Sequence, residues 1–155
     1  MRNVGQYFEI IEKAIEYSPA EAAEIEIERR DATRGTIEGV VYFANGSRLE
    51  FTERVVIEQR RPVKKEYRYQ FVSRGTAVFR YDNAPHHPNL ATFPHHKHVG
   101  TKILPADEPE FNQALDEALT LVIEETNQSE SVGDAGRKAG KQRRRRTPRK
   151  TKRGA

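Results

Sequence analysis

The sequence predicts an α+β domain in which an antiparallel sheet of about five strands is packed by an N-terminal and a C-terminal helix, with a disordered basic tail behind it. Three observations predict this arrangement. Helical periodicity occurs at both ends of the first 127 residues, strand-like alternation with short turns fills the middle, and apolar periodicity stops near position 128. We therefore predict a two-layer domain over residues 1–127 and a disordered Arg/Lys-rich tail over residues 128–155.

The first predicted element is an amphipathic helix over residues 4–17. Charged residues occupy one of its faces, and the other face carries apolar residues at helical spacing: Val4, Phe8, Ile11 and Ile15. Asn3 is a suitable N-cap, because its side chain can accept a hydrogen bond from an amide of the first turn. Pro19 ends the helix, because a proline disfavours the helical conformation of the residue before it.

Five strand-like runs follow, in which apolar and polar residues alternate. They cover residues 23–27, 37–43, 49–57, 67–71 and 77–81. In the first run Ala23, Ile25 and Ile27 alternate with glutamates, which predicts one buried and one solvent-facing side. The short spacing between the runs predicts an antiparallel meander.

Two of the connections carry turn sequences. Asn45-Gly46 predicts a two-residue hairpin turn of type I′, because both central positions of that turn require positive φ. Ser73-Arg74-Gly75 predicts the turn between the last two strand-like runs.

The last predicted element is a helix that starts at Asp107. The carboxylate of Asp107 can cap the first turn, with Glu110 three residues later and Pro109 tolerated between them. The apolar face of this helix recurs at helical spacing: Phe111, Leu115, Leu119 and Val122. We expect the helix to pack on the sheet and to end near Asn127.

The charge of the chain is unevenly distributed. Residues 1–136 hold all 23 acidic and 16 basic side chains, a formal charge of −7, whereas residues 137–155 hold 11 basic side chains and no acidic one. Such a tail can be a solvated segment, can bind the acidic body or an acidic partner, or can bind nucleic-acid phosphates. The candidate nucleic-acid-binding residues of the tail are Arg143, Arg144, Arg145, Arg146, Arg149 and Lys150.

Composition excludes several classes of protein. The absence of cysteine excludes disulfide scaffolds, thiolate zinc sites and cysteine nucleophiles. No apolar run approaches the 18 residues of a membrane span, so no membrane association is predicted. The N-terminal segment lacks the apolar core of a secretory signal, and we therefore expect a cytoplasmic protein.

All histidines of the chain lie within 13 residues: His86, His87, His95, His96 and His98. Pro85, Pro88 and Pro94 interrupt the same segment, which predicts a loop between Arg80 and Gly100. Polar loops on a rigid sheet are common positions for binding and catalytic residues. The segment is therefore the candidate active site.

The residue types of this segment suit the cleavage of RNA by acid–base chemistry. One imidazole can take the proton of a ribose 2′-hydroxyl while another protonates the departing 5′-oxygen. Lys97 or Arg80 can stabilise the negative charge of the transition state, and Asp82 can orient an imidazole. Tyr81 or Phe93 can stack on an unpaired base. The candidate catalytic residues are Arg80, Asp82, His86, His87, His95, His96, Lys97 and His98.

Two other interpretations of the histidines remain open. His96 and His98 lie on one side of an extended segment and, with Asp82 or His86 as a further ligand, can hold a divalent metal ion. In that case the protein would be a metal-dependent phosphodiesterase, whereas acid–base cleavage needs no cofactor. Alternatively the histidines are structural, and the protein is a module that binds nucleic acid or protein. Since adjacent side chains diverge, at most one of each neighbouring histidine pair is expected to face a common point.

Two segments of the chain resemble a known family. FRYDNAPHHP (Phe79 to Pro88) and TFPHHKHVG (Thr92 to Gly100), preceded by YRYQF (Tyr67 to Phe71), are similar to the sequence pattern of the TumE family. The resemblance implies a small cytoplasmic toxin of a prokaryotic toxin–antitoxin module. It also implies a cognate antitoxin, typically a helix-turn-helix DNA-binding protein, and RNA as the substrate most often attacked by such toxins.

Overall fold

A computed structural model describes the backbone of residues 1–141 and the side chains of residues 1–132. Two helices and seven strands follow one another: α1 (Val4–Glu16), β1 (Ala22–Arg29), β2 (Arg34–Tyr42), β3 (Arg48–Glu58), β4 (Arg61–Ser73), β5 (Thr76–Asp82), β6 (His96–Val99), β7 (Lys102–Pro105) and α2 (Phe111–Lys141). The chain divides into a compact unit, Met1–Val122, and a second unit that begins at Ile123. No helix in the described part of the chain is long and apolar enough to cross a bilayer.

All seven strands form one antiparallel sheet in sequence order, from β1 at one edge to β7 at the other. The predicted α+β class and the meander are therefore confirmed, but the prediction of about five strands is wrong. Strands β6 and β7 are only four residues long and lie next to prolines. Strand β6 is mostly polar and strand β7 has Ile103 and Leu104 side by side, so neither shows the alternation by which a half-buried strand is recognised.

The two faces of the sheet have different environments. Side chains alternate across the sheet, and helix α1 and the first turns of α2 cover one face, which we call the helix face. Tyr7 of α1 reaches Glu53 of β3 on this face, and Phe111 of α2 packs edge-on against Phe51. Among the described residues, large core side chains from both layers are practically inaccessible, including Phe8, Ile37, Leu49, Tyr69 and Phe71. The opposite face, which we call the open face, has no helix of this unit on it.

Helix α1 is held at its start by a capping box. The side chain of Asn3 accepts a hydrogen bond from the amide of Gln6 at 3.0 Å, and the Gln6 side chain accepts one from the amide of Asn3. The predicted N-cap is thus confirmed. The apolar side chains of α1 are buried on the helix face, which anchors this helix to the sheet.

The Asn45-Gly46 hairpin forms where predicted, but its turn is not of type I′. Only Gly46 has positive φ (81°), and its amide donates to the carbonyl of Phe43 at 2.9 Å. The Asn45 side chain accepts from the amide of Ser47 at 3.0 Å, which favours a three-residue loop with a left-handed glycine. Arg74 and Gly75, in contrast, both have positive φ, as a type I′ turn requires.

Three further sequence predictions need correction. Strand β1 is the edge strand and is exposed along most of its length, so Ala23 and Ile25 are not buried, and Ile27 is only half-buried. Helix α2 begins at Phe111 rather than at Asp107, because Pro109 and its neighbours lie in the connection before it. It continues to Lys141 rather than ending near Asn127. Residues 128–141 are therefore helical, and the rest of the predicted disordered tail lies outside the described residues.

Candidate active site

The β5–β6 hairpin places the candidate residues on the open face of the sheet. Arg80 pairs with His98 and Asp82 pairs with His96 in the antiparallel register, so these four side chains project on the same side. Arg80 to Asp82 and His96 to His98 therefore lie in strands, and the predicted loop is limited to the segment between them. His87 extends from that loop over the two strand histidines. We call Arg80, Asp82, His87, His96 and His98 the histidine cluster.

A buried ion pair lies at the base of the histidine cluster. The Nε2 atom of His96 lies 3.0 Å from Oδ1 of Asp82, and Nδ1 lies 2.9 Å from the carbonyl oxygen of Pro94. Both partners are acceptors, so each ring nitrogen of His96 is placed to donate a hydrogen bond. With only 2% of its surface exposed, His96 has almost no access to a substrate.

His98 differs from His96 in its hydrogen bonds. Its Nε2 atom lies 2.8 Å from Nη2 of Arg80, whose guanidinium can only donate, so this nitrogen of His98 is an unprotonated acceptor. Burial lowers the pKa of His98 below its ordinary value of 6.5, and the positive charge of Arg80 lowers it further. At neutral pH Nε2 of His98 is therefore unprotonated, as a general base requires, and its lone pair accepts the hydrogen bond from Arg80.

Arg80 and His87 complete the histidine cluster. Arg80 also donates from Nε to Oδ2 of Asp82 at 2.8 Å, so one carboxylate holds both a guanidinium and an imidazole. The ring centroid of His87 lies 4.9 Å from that of His96 and 5.9 Å from that of His98. One ring nitrogen from each of the three histidines lies within 4.8 Å of the others.

A cavity of about 880 Å³ opens on the same face beside the histidine cluster. It shares Arg80 and Asp82 with the cluster. Much of the remaining wall is formed by strand β4 and by the two ends of the loop between β5 and β6. The lining includes Lys65, Arg68, His86, Phe93 and Pro94. A second groove of the open face, toward β1, contains four glutamates: Glu24, Glu26, Glu38 and Glu50. Three cationic side chains line the cavity together with the carboxylates of Glu66 and Asp82, whereas the groove has its four glutamates and Arg68. The cavity is therefore the less acidic of the two.

A family model described as Toxin TumE matches residues 9–129, which include the whole sheet and the histidine cluster. The chain belongs to the TumE toxin family. The resemblance of the histidine segments to this family is thus confirmed, and membership makes the protein the toxin of a toxin–antitoxin system with an antitoxin as its partner. No curated protein and no solved structure matches the chain.

The fold separates three candidate residues of this TumE toxin from the histidine cluster. Lys97 and Tyr81 lie on the helix face, where the Lys97 ammonium and the Tyr81 hydroxyl both donate to the carboxylate of Glu117 in α2. His95 also turns to that side, and its Nδ1 atom lies 3.0 Å from the hydroxyl of Tyr67 while the two rings stack. These three side chains connect the sheet to α2 and to the loop.

The neighbouring histidine pairs diverge as the sequence predicted. His87 belongs to the histidine cluster, whereas His86 is exposed at the wall of the adjoining cavity. His96 belongs to it, whereas His95 does not. His96 and His98 lie on one side of β6, with their ring centroids 4.9 Å apart. The tail candidates Arg143 to Lys150 lie outside the described residues.

Sequence reasoning missed two residues of the TumE toxin's site. Arg68 of β4 is the register partner of Asp82 and lines the cavity, yet in the sequence it is only one polar position of an alternating strand. The side chain of Asn83 accepts from the amide of Tyr67 at 3.0 Å and donates to the carbonyl of Lys65, which fixes the start of the loop to β4. Pairing of Ser73 with Thr76 at the turn would by itself place Arg68 opposite Tyr81. A β-bulge between Phe71 and Val72 shifts the register and brings Arg68 to Asp82, which the sequence does not indicate.

Proposed function

We propose that this TumE toxin is a ribonuclease that cleaves RNA by metal-independent acid–base catalysis at the histidine cluster. The observation that carries the proposal is the pair of accessible imidazoles, His87 and His98, held 5.9 Å apart between ring centroids over a buried Asp82–His96 ion pair. A hydrogen bond spans roughly 2.8 Å, so ring nitrogens within 4.8 Å of one another can both reach oxygens around one phosphorus.

His98 is the general base of the proposed reaction. A bound phosphate attracts the guanidinium of Arg80, which frees Nε2 of His98 to take the proton of the ribose 2′-hydroxyl. The 2′-oxygen then attacks the phosphorus, and the bond to the 5′-oxygen breaks. His87 gives a proton to that oxygen, so the products are a 2′,3′-cyclic phosphate and a free 5′-hydroxyl.

Arg80 and the Asp82–His96 pair support this reaction without taking the proton. Arg80 is about one-third exposed and stabilises the additional negative charge on the phosphate in the transition state. Asp82 holds both Arg80 and His96, and the His96 ring contacts the two catalytic rings edge-on. His96 and Asp82 are therefore positioning residues, because neither has surface to offer a substrate.

A metal-dependent phosphodiesterase is the second candidate, and a specific observation favours it. Three imidazoles with ring nitrogens within 4.8 Å of one another are a ligand set that zinc accepts. The hydrogen bonds that these ring nitrogens already make argue against metal binding. Both nitrogens of His96 contact acceptors, and Nε2 of His98 holds the Arg80 guanidinium, whose positive charge opposes a nearby cation. The predicted ligand set of His96, His98 and Asp82 would need these contacts to break. We therefore favour the reaction without a metal.

The test uses the purified full-length toxin and RNA, with and without EDTA. We expect cleavage that resists EDTA and leaves 2′,3′-cyclic phosphate ends. His98→Gln and His87→Gln should each reduce the rate by at least about 100-fold, in line with the usual contribution of acid–base catalysis. His95→Gln is the matched control, because its ring contacts Tyr67 on the other side of the sheet. Loss of activity in EDTA would support the metal enzyme, and an active His98→Gln variant would refute the proposal.

The antitoxin is proposed to be a helix-turn-helix DNA-binding protein, and the toxin is proposed to act on RNA in the cytoplasm. Membership of the TumE family supports the first part of this proposal. Co-expression of a neighbouring small reading frame that encodes such a protein should restore growth of cells that produce the toxin. Growth arrest that persists in its presence would contradict this assignment of the partner.

A further inference from the structure

We propose that the cavity beside the histidine cluster binds the base of an unpaired nucleotide, so that the toxin acts on single-stranded RNA. This inference rests on the proposed function, because it assigns the substrate class of the same site. The cavity and the histidine cluster share Arg80 and Asp82. A phosphate bound by Arg80 therefore places the attached nucleoside at the mouth of the cavity, whose volume of about 880 Å³ is ample for a nucleobase.

Phe93 provides the stacking surface of this cavity. It is 44% exposed, which is high for a phenylalanine, and it lines the cavity at the end of the loop. Its backbone is held in place, because the amide of Phe93 donates to Leu90 and the adjacent Thr92 hydroxyl contacts both His95 and Ala106. A rigid, exposed aromatic ring next to a phosphate site is the platform on which proteins stack unpaired bases.

Arg68 supplies a positive charge to the same cavity. Among the cations that line it, Lys65 is paired with Glu58 and Arg80 with Asp82. Within the described part of the chain, Arg68 makes no ion pair with a carboxylate, and its guanidinium donates to the neutral amide of Gln70 at 2.7 Å. The Arg68 guanidinium is therefore available for a phosphate or for the edge of a base.

These features select against double-stranded RNA. In an A-form duplex the bases are stacked and paired, and the major groove is too narrow for side chains to reach them. Only a nucleotide outside a duplex can place its base against Phe93 while its phosphate contacts Arg80. A hairpin loop, a bulge or a single strand satisfies this condition.

The test measures binding separately from cleavage. Fluorescence anisotropy is recorded for the full-length toxin with a labelled oligonucleotide of 2′-fluoro RNA, which lacks the nucleophilic hydroxyl, alone and annealed to its complement. We expect the toxin to prefer the single strand. Phe93→Ala should weaken single-strand binding about tenfold and leave duplex binding unchanged, because stacking on one aromatic ring contributes on that order. Phe93→Tyr should retain the affinity, and Arg68→Gln should weaken it.

Tyr17→Ala is the matched control, because Tyr17 is 81% exposed at the end of helix α1 and should leave single-strand affinity unchanged. Equal affinity of the wild type and Phe93→Ala for the single strand would overturn the inference, as would equal losses for single strand and duplex. Thermal midpoints of the variants verify folding, and Arg68→Gln gives an independent result if Phe93→Ala unfolds. Single-strand binding without any RNA cleavage would refute the proposed function but not this inference.

Discussion

At the scale of single residues, two histidines separated by one position have different environments. His96 is buried and paired with Asp82, whereas His98 is partly exposed and accepts a hydrogen bond from Arg80. Removal of the His96 ring leaves the buried carboxylate of Asp82 with one partner fewer, which is costly in a site of low dielectric constant. Mutations at the two positions should therefore have different consequences for stability.

We predict that His96→Ala lowers the free energy of unfolding by about 3 kcal/mol, the typical cost of breaking a buried ion pair. His98→Gln should lower it by less than about 1 kcal/mol, because Gln retains an acceptor for Arg80. Denaturant titrations of both variants, run in parallel with growth assays, measure this difference. Equal stability losses would show that His98 is as structural as His96.

The lowered pKa of His98 should make both the proposed activity and the stability depend on pH. Burial, followed by the charge of Arg80, lowers the pKa in the folded state, so acidification protonates the unfolded chain first. The contribution of neutral His98 to the free energy of unfolding is therefore complete above its ordinary pKa of 6.5. It is lost as the pH falls through the lower pKa of the folded state. The proposed general base loses its lone pair over the same range.

We predict that the acidic limb of the rate-against-pH profile lies below pH 6.5 for the wild type. Arg80→Gln removes a positive charge next to the His98 imidazole, so the acidic limb should move toward higher pH. The same substitution should also reduce the rate. Initial cleavage rates between pH 4.5 and 8 measure both effects. An acidic limb that is unchanged in Arg80→Gln would contradict the assignment of His98 as base.

At the scale of elements, a buried carboxylate connects three secondary-structure elements on the helix face. Glu53 of β3 accepts hydrogen bonds from Tyr7 of α1 at 2.7 Å and from Tyr69 of β4, and it is completely buried. Burial raises the pKa of Glu53, and it also raises the pKa of both tyrosines. Lys64 extends the network to the connection before α2 by donating to the carbonyl of Pro109. This network specifies how α1 sits on the sheet.

We predict that Glu53→Ala lowers the free energy of unfolding by about 3 kcal/mol or more, because two buried hydroxyls lose their acceptor and a cavity forms. Glu53→Gln should lower it by roughly half as much, since the amide oxygen still accepts from one tyrosine. Glu38→Ala on the open face is the control, because that side chain is exposed and its loss should change stability by less than about 0.5 kcal/mol. Similar values for Glu53→Ala and Glu38→Ala in urea titrations would disprove the role of the network.

At the scale of the whole molecule, the distribution of charge bears on how an acidic body could bind the proposed RNA substrate. Residues 1–136 carry a formal charge of −7, but Lys65, Arg68 and Arg80 line the cavity beside the histidine cluster, together with the carboxylates of Glu66 and Asp82. Four glutamates line the other groove of the open face. If the basic C-terminal segment contacts phosphates, as proposed, its attraction depends on ionic strength rather than on sequence.

We predict that deletion of residues 142–155, which contain eight Lys and Arg side chains, leaves the domain folded. In the part of the chain whose side chains are described, the buried core residues lie between Val4 and Ala118, so circular dichroism and the thermal midpoint should be unchanged. RNA binding should weaken and should depend less on salt, because each phosphate contact on a single strand contributes about 0.7 to the logarithmic salt slope. An unchanged slope would mean that these side chains do not contact the phosphates.

The sequence by itself determined the α+β class, the meander, the N-cap at Asn3, the hairpin at Asn45-Gly46 and the concentration of chemistry around the histidines. Local periodicity, capping and turn residues express these features, because each depends on neighbours within a few positions. The resemblance to the TumE family came from contiguous residues for the same reason. Local signals did not reveal β6 and β7, since a segment of four residues without apolar alternation gains a strand conformation only from the ladder that it joins.

Only the tertiary structure decided which histidines meet. The register of β5 and β6 brings Asp82, His96 and His98 to one face and turns His95 and Lys97 to the other, although all five are polar and close in sequence. A shift of one residue in that register would exchange the two sets, because the side-chain period of a strand is two. Which imidazoles surround a substrate is thus a property of strand pairing, which no single segment of the sequence contains.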